Sequence, residues 1–317
     1  MELGNSFKII KFCGCNTQNI ANTNSYYGMT IPKTNYLDNV NDDCFIKKTS
    51  SVPDEIEELF PNGEFEKIYN DIVKKYGITN PPKIVWGSLD NNADGRCDPE
   101  VNTIFFDHKN LLEKKYKVLI EYTDSDGQIK SGYQPSSLNL VAAYKDEEAF
   151  YKDAKADCDR FEIKYRLVPL TNDDKRKQII FRFAHELEHA FQYQVVNQTE
   201  GLSLYDLLKE IRIKNDKNLI SKNIFLLTWD KKFNEIYGNN TTKIYKKDSK
   251  EGQFASKIYD AAINYPYYKK GSIEYYNNFL ERDANARGYA YLIKNYGNFD
   301  NIIDIRDISK YVAYKNS

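Results

Sequence analysis

The segment Phe183–Gln194, FAHELEHAFQYQ, constrains the fold more than any other part of the chain. Thr171 and the three polar residues after it are typical of a helix N-terminus, which predicts a helix from Lys175 to about Val196. The apolar side chains of this helix form a wide surface: Ile179, Ile180, Phe183, Ala184, Leu187, Ala190 and Phe191. We therefore expect the helix to be largely buried, so its polar side chains need partners inside the protein.

The helix carries two of the three histidines in the chain, His185 and His189, and Glu186 follows the first of them directly. Residues four apart share one helix face, so both imidazoles can reach one ion at the roughly 2.0–2.1 Å that zinc requires. Glu186 lies about 100° round the helix, where it can reach a water on that ion. The alternative is a pair of satisfied histidines on a surface helix, which the apolar flanks disfavour.

A catalytic zinc ion needs a third protein ligand and one open position. The remaining histidine, His108, precedes the helix, so the third ligand is either His108 or a carboxylate. The best carboxylate is Glu281, in the predicted helix YYNNFLERDANARGYA, where Asn278, Glu281, Asn285 and Gly288 share one stripe.

Asn285 could support a ligand histidine from the same stripe. Asp283 lies off the stripe and is the next choice of ligand. The alternative for Glu281 is a solvated carboxylate that pairs with Arg282 or Arg287.

HELEHAFQ, followed far downstream by Glu281-Arg282-Asp283-Ala284, resembles the gluzincin class of zinc metallopeptidases, in particular compact members with a later ExDA-type or ExEA-type helix. The resemblance covers about residues 80–110, 175–196 and 272–295. It implies an α+β, zincin-like fold in which a small mixed sheet lies over the active-site helix and a mainly helical C-terminal part follows. It also implies that Glu281 is the third ligand, and that the segment Gly95–Asp107, with Asn102, Thr103 and Ile104, forms the edge strand on which a substrate lies.

The activity that the resemblance implies is hydrolysis of peptide bonds in a peptide or protein substrate, with one Zn²⁺ per chain, a zinc-activated water and Glu186 as general base. His108, Tyr275 and Tyr276 are the candidate donors to the oxyanion. Two alternatives stay open. One is a binding or regulatory module on a peptidase-like fold, and the other is a zinc hydrolase acting on a non-peptide amide.

Composition argues against several other classes. The 45 basic and 46 acidic residues of the 317 leave a net charge of -1, so neither nucleic acid nor a membrane surface is an expected partner. No apolar stretch reaches the eighteen or so residues of a membrane span. Five irregularly spaced cysteines do not predict a disulfide scaffold, so a reducing, cytoplasmic location is the default expectation. Leaderless export and removal of a signal remain alternatives.

A weaker motif lies at Asp90–Asp94, which matches the first half of a calcium-binding EF-hand loop. Its twelfth position is Val101 rather than Glu, so calcium is not expected there.

Four parts of the chain are predicted. Residues 1–50 are an N-terminal arm or irregular lobe, 51–197 the zincin-like subdomain, 198–272 an inserted polar helical lobe, and 273–317 the helices that carry the third ligand. Within them we predict a helix interrupted at 61–63, strands at KIVWGSL and TIFFD, a hairpin at 125–127, and a helix from Leu138 to about Arg160. No oligomeric state is predicted.

Overall fold

The structure is a computed structural model that describes residues 51–89, 93–136, 138, 140–215, 231–238, 242–264 and 277–317. It is a mixed α+β fold with two small sheets and a helical C-terminal half, which confirms the predicted class. The predictions for residues 1–50, for Asp90 and for Tyr275 and Tyr276 fall outside the described residues. Within the described ranges, no helix is both long enough and apolar enough to cross a membrane.

The first sheet follows two helices, α1 (Asp54–Leu59) and α2 (Glu64–Tyr76), which are separated at the predicted break. Its strands are β1 (Lys83–Trp86), β2 (Gly95–Asp98) and β3 (Thr103–Phe106). They are ordered β1-β3-β2, with β1 parallel and β2 antiparallel to β3. Among the described residues, β2 is therefore an edge strand and β3 is central.

The prediction that Asn102, Thr103 and Ile104 lie in an edge strand is wrong. Thr103 and Ile104 lie in the central strand, where each is paired on both sides, and Asn102 precedes that strand at a positive φ of 45°. All four residues of β3 are buried, as expected of a strand that has neighbours on both edges. The edge strands are β1 and β2, and β2, which lies at the start of the predicted segment, is the one that contacts Glu186 of the long helix.

The second sheet is built round β4 (Tyr116–Thr123), which follows α3 (His108–Glu113). It pairs antiparallel with β5 (Ile129–Tyr133), β6 (Ala143–Tyr144) and β7 (Lys164–Pro169). The β4–β5 pair confirms the predicted hairpin.

The predicted helix from Leu138 to Arg160 is wrong in its first part, because Ala143–Tyr144 pairs with β4. Asp146 then caps α4 (Glu147–Phe150), which continues through a π-helical turn, Tyr151–Lys155, into α5 (Ala156–Arg160).

The long helix α6 (Asn172–Gln198) confirms the prediction made from the polar cluster. The Thr171 hydroxyl accepts from the Asp174 N–H at 3.0 Å, and the Asp174 carboxylate accepts from the Thr171 N–H at 2.9 Å. This reciprocal arrangement is a capping box. Asp174 also forms an ion pair of 2.7 Å with Lys117 of β4, which fixes the start of α6 against the second sheet.

The C-terminal half contains α7 (Leu204–Asn215), helical residues 231–237, α8 (Lys250–Asn264), α9 (Phe279–Tyr296) and α10 (Ile305–Lys315). Helix α9 packs against α6, and Gly288 of α9 lies against the α6 backbone. A Cβ atom added at Gly288 would lie 3.2 Å from the His185 N and from the Phe181 O. A glycine here lets α9 approach α6 closely, and this brings Glu281, two turns earlier, to the ligand histidines.

Candidate metal centre

His185 and His189 on α6 and Glu281 on α9 form one group of metal-ligand type. One ligand atom from each lies within 4.8 Å of the others, and all three side chains are buried. The two Nε2 atoms are 3.1 Å apart, whereas two ligands on a tetrahedral ion at 2.0–2.1 Å would be about 3.3 Å apart. The predicted ligand set therefore comes together in a group that could hold a metal ion.

The neighbours of His189 show which of its nitrogens is free for a metal. The amide nitrogen of Gln192 donates to the Leu280 carbonyl at 3.0 Å and to the Asp283 carboxylate at 2.9 Å. The amide oxygen of Gln192 therefore faces Nδ1 of His189, at 2.8 Å. Because an amide oxygen can only accept, we assign the ring hydrogen to Nδ1. Nε2 of His189 then presents a lone pair to the centre, as a metal ligand must.

Asn285 lies beside the other ligand histidine, where the sequence predicted a supporting residue. Its amide group donates to the Glu281 carbonyl at 2.8 Å, and its side chain favours the protonated form of His185. Neither Nδ1 of His185 nor Oδ1 of Asn285 reaches a partner at good hydrogen-bond geometry, although both atoms are buried. The fixed amide group thus leaves Oδ1 as the only part of Asn285 that can support the ring.

Both imidazoles are held in the neutral form. Burial lowers the pKa of His189 to about 3, and burial together with neighbouring His189 and Arg182 holds the pKa of His185 well below its usual value. A neutral imidazole is the form that binds a metal ion.

Glu186 stands apart from the three ligands, on the side of α6 that faces β2. Its Oε2 accepts the backbone N–H of Cys97 at 2.9 Å, and its Oε1 lies 4.0 Å from Nε2 of His185. Gly95 makes this approach possible: a Cβ there would lie 2.8 Å from the Phe106 ring and 3.1 Å from Cγ of Glu186. Burial raises the pKa of Glu186 to about 7, against the lowering effect of Arg182.

Two alternatives from the sequence concern carboxylates: Asp283 as the next choice of ligand, and Glu281 as a solvated side chain. Asp283 is not part of the ligand group. It accepts a hydrogen bond from Gln192 and so supports His189 indirectly, through Gln192. Glu281 is fully buried, which contradicts the alternative of a solvated carboxylate. Arg287, offered as a partner in that alternative, forms an ion pair of 3.2 Å with buried Glu188.

Three residues of the site were missed by sequence reasoning. Gln192 lies one helical turn after His189, so its spacing could have suggested contact with that ring. Cys97 acts through its backbone N–H, and no side-chain pattern identifies such a donor. Arg182 lies one turn before Glu186, but a lone arginine on a helix carries no specific signal.

His108 is not brought to the centre. It is the first residue of α3, and its ring lies against Trp86 with 6.4 Å between centroids. The structure therefore does not support His108 as the third ligand. Two of the three candidate oxyanion donors, Tyr275 and Tyr276, lie outside the described residues, so the identity of the donor stays a prediction.

Two neutral imidazoles and a carboxylate leave one position of a tetrahedral ion open within the described residues, and a second carboxylate, Glu186, lies beside that group. Structural zinc sites usually have four protein ligands, whereas catalytic sites have three. Comparisons with protein-family models, with curated proteins and with solved structures find no match for this chain.

Proposed function

We propose that the protein is a zinc-dependent metallopeptidase of the gluzincin type, with a zincin-like arrangement of sheet and helix. The main observation behind the proposal is that the polar side chains of α6 take two separate positions. His185 and His189 converge with Glu281, while Glu186 from the same helix stays outside the group and is bound to β2. Two imidazoles and one carboxylate are a ligand set used by catalytic zinc.

The position of Glu186 favours hydrolysis over the chemistry of other metals. Two histidines and a carboxylate also bind iron in oxygenases, but such a site has no need of a second carboxylate held beside the ligands. When bound, zinc supplies a Lewis acid and lowers the pKa of a coordinated water. Oε1 of Glu186 can accept a proton and pass it to a leaving amine, while the Cys97 N–H holds Oε2 in place.

The substrate is proposed to lie along β2 rather than β3. The Cys97 N–H points from β2 towards α6, so the outward polar groups of this strand face the helix that carries the centre. A peptide added beside an edge strand gains backbone hydrogen bonds without sequence preference. Gly95 lets β2 and Glu186 approach each other closely, because a side chain there would meet Cγ of Glu186 and the Phe106 ring.

One observation favours a second candidate, a binding module whose metal is structural. The side chains of His185, His189 and Glu281 are all 0% exposed in this structure, and structural metal sites are closed to solvent. A hydrolase acting on a non-peptide amide would use the same residues as a peptidase.

The test combines metal analysis with cleavage of a diverse peptide library by the full chain. We expect about one zinc ion per chain and cleavage that falls about 10²–10⁴-fold in Glu186→Gln, with zinc retained. Glu251→Gln, at an exposed site on α8, is the matched control and should change neither property. Iron in place of zinc, or full activity in Glu186→Gln, would contradict the proposal. Bound zinc with no peptide cleaved would favour the binding module or the non-peptide amide.

A further inference from the structure

Arg182 occupies the sector of α6 between the general base and the ligands. It lies four residues before Glu186 and three before His185, so helical geometry places it one turn, about 5.4 Å, from both. Between residues 181 and 190 of α6, only Arg182 and Ala190 are not buried. Arg182 is therefore the one charged side chain on this stretch of α6 that solvent reaches.

Arg182 shares one carboxylate with a second cation. Oδ2 of Asp94, directly before β2, lies 2.8 Å from Nζ of Lys114 and 3.3 Å from the guanidinium of Arg182. Oδ1 of Asp94 accepts from the Asn110 amide at 2.8 Å. The next carboxylate, Asp107, caps α3 and accepts backbone N–H groups. Arg182 and Lys114 thus both pair with Asp94, and the charge of Arg182 also acts on Glu186.

Most of the donors of Arg182 are available for a ligand. A guanidinium has five N–H donors in a planar fork. Within the described residues, the contacts of Arg182 are the ion pair with Asp94 and the ring of Phe181 at 5.7 Å. The side chains of Arg182 and Lys114 are 24% and 31% exposed, so both are reachable yet partly desolvated. Charged hydrogen bonds are stronger in such a setting than in water.

We propose that Arg182 and Lys114 bind a carboxylate of the substrate, so that the enzyme cleaves peptides close to an acidic group. This inference rests on the proposed peptidase function and names its substrate class. The guanidinium fork matches a carboxylate in two-point geometry, and Asp94 orients the fork. One helical turn corresponds to one or two residues of an extended peptide, at about 3.3 Å each. The acidic group is therefore adjacent to the cleaved bond or one residue away.

The test uses zinc-loaded full-length protein and peptide sets that carry Glu, Gln or Lys at each position flanking the cleaved bond. Each set is made with a free and with an amidated C-terminus, which separates a side-chain carboxylate from a terminal one. We expect Glu, or the free terminus, to be preferred over its neutral counterpart by about 10- to 100-fold in kcat/KM, mainly through KM. Arg182→Gln should abolish the preference, and Arg182→Glu should reverse it in favour of Lys.

Arg306→Gln is the matched control, because Arg306 is a 71% exposed arginine that also pairs with a carboxylate, that of Asp304. It should keep the acidic preference. Arg182→Lys keeps the positive charge but loses the planar guanidinium group, so it should retain part of the preference. A variant that simply folded poorly would lose activity towards all peptides instead. Cleavage without acidic preference in the unmodified protein, or an unchanged preference in Arg182→Glu, would overturn the inference and leave the peptidase proposal standing.

A binding measurement separates the two proposals if no peptide is cleaved. Calorimetric titration with N-acetylglutamate should show saturable binding that Arg182→Gln removes and Arg306→Gln keeps. Such binding would support the carboxylate site although the peptidase proposal had failed. Absence of binding to the unmodified protein would overturn the carboxylate site as well.

Discussion

Replacing Gln192 by Leu should weaken metal binding, although Gln192 is not itself a candidate ligand. The Gln192 amide oxygen accepts from Nδ1 of His189, and its nitrogen donates to the Leu280 carbonyl and to the Asp283 carboxylate. Leucine has a similar volume but makes none of these hydrogen bonds. The imidazole then loses the group that fixes its hydrogen on Nδ1 and its lone pair on Nε2.

The magnitude follows mainly from Nδ1 of His189, a buried group that loses its acceptor, because Asp283 is only half-buried and the Leu280 carbonyl lies within helix α9. Each buried polar group that loses its partner costs about 1–3 kcal/mol, and neighbours in one network do not add fully. We expect the free energy of unfolding of the metal-free protein to fall by about 1–3 kcal/mol. Loss of a residue that orients a ligand lowers metal affinity about 10- to 100-fold. The two effects are separable, because one is measured without metal and the other on folded protein.

Gln194→Leu is a matched control from the same helix. The oxygen of Gln194 accepts from the backbone N–H groups of Thr79 and Asn80, and its nitrogen donates to the Gly77 carbonyl. This variant breaks a comparable set of hydrogen bonds on a side of α6 remote from the ligands. It should lower stability in urea unfolding while competitive zinc titration gives an unchanged Kd.

Gln192→Glu tests the assigned tautomer directly. A carboxylate still accepts from Nδ1 of His189 but cannot donate to Leu280 and is repelled by Asp283. We expect it to bind zinc more tightly than Gln192→Leu does, despite lower stability. Equal zinc affinity in Gln192→Leu and the unmodified protein, or an equal loss in Gln194→Leu, would refute the reasoning.

Two further substitutions test the ligand group and the position of Glu186 separately. Glu281→Gln removes the charge of the third ligand and should lower zinc affinity by at least about 10-fold, measured by competition with a chelator; an unchanged affinity would remove Glu281 from the ligand set. Gly95→Ala places a methyl group 3.1 Å from Cγ of Glu186 and 2.8 Å from the Phe106 ring. It should reduce peptide cleavage while zinc content stays the same, and loss of zinc instead would show that β2 shapes the ligand group itself.

The parts of the fold that sequence could predict are those set by local interactions. The capping box of α6 involves Thr171 and Asp174, three residues apart, and its polar residues identify the helix start without tertiary information. The pair His185 and His189 is fixed by the period of the helix in the same way. Elimination among the three histidines left His108 or a carboxylate as the third ligand, and the resemblance to the gluzincin class then favoured Glu281.

The parts that sequence could not predict depend on partners distant in the chain. Strand propensity identified TIFF as a strand but carries no information on which strands flank it, so β3 was taken for the edge. The same limit applies to residues 143–144, whose pairing with β4 overrides a helical pattern. Contacts such as Arg182 with Asp94 join residues 88 positions apart, and neither residue alone indicates the other.

The packing of α6 explains how one helix presents two candidate ligands and Glu186 together, while α9 supplies Glu281. Phe183 packs against Phe65 and Phe106 beneath the first sheet, while Gly288 of α9 contacts the backbone at His185. The sector between these two contacts contains Arg182, Glu186 and the ligand nitrogens. Successive residues of a helix are about 100° apart round its axis. A ligand residue moved by one position along α6 would therefore point either towards the sheet or towards α9. Packing on both sides therefore constrains this stretch of α6, and the candidate ligands and Glu186 lie buried in the sector between the two contacts.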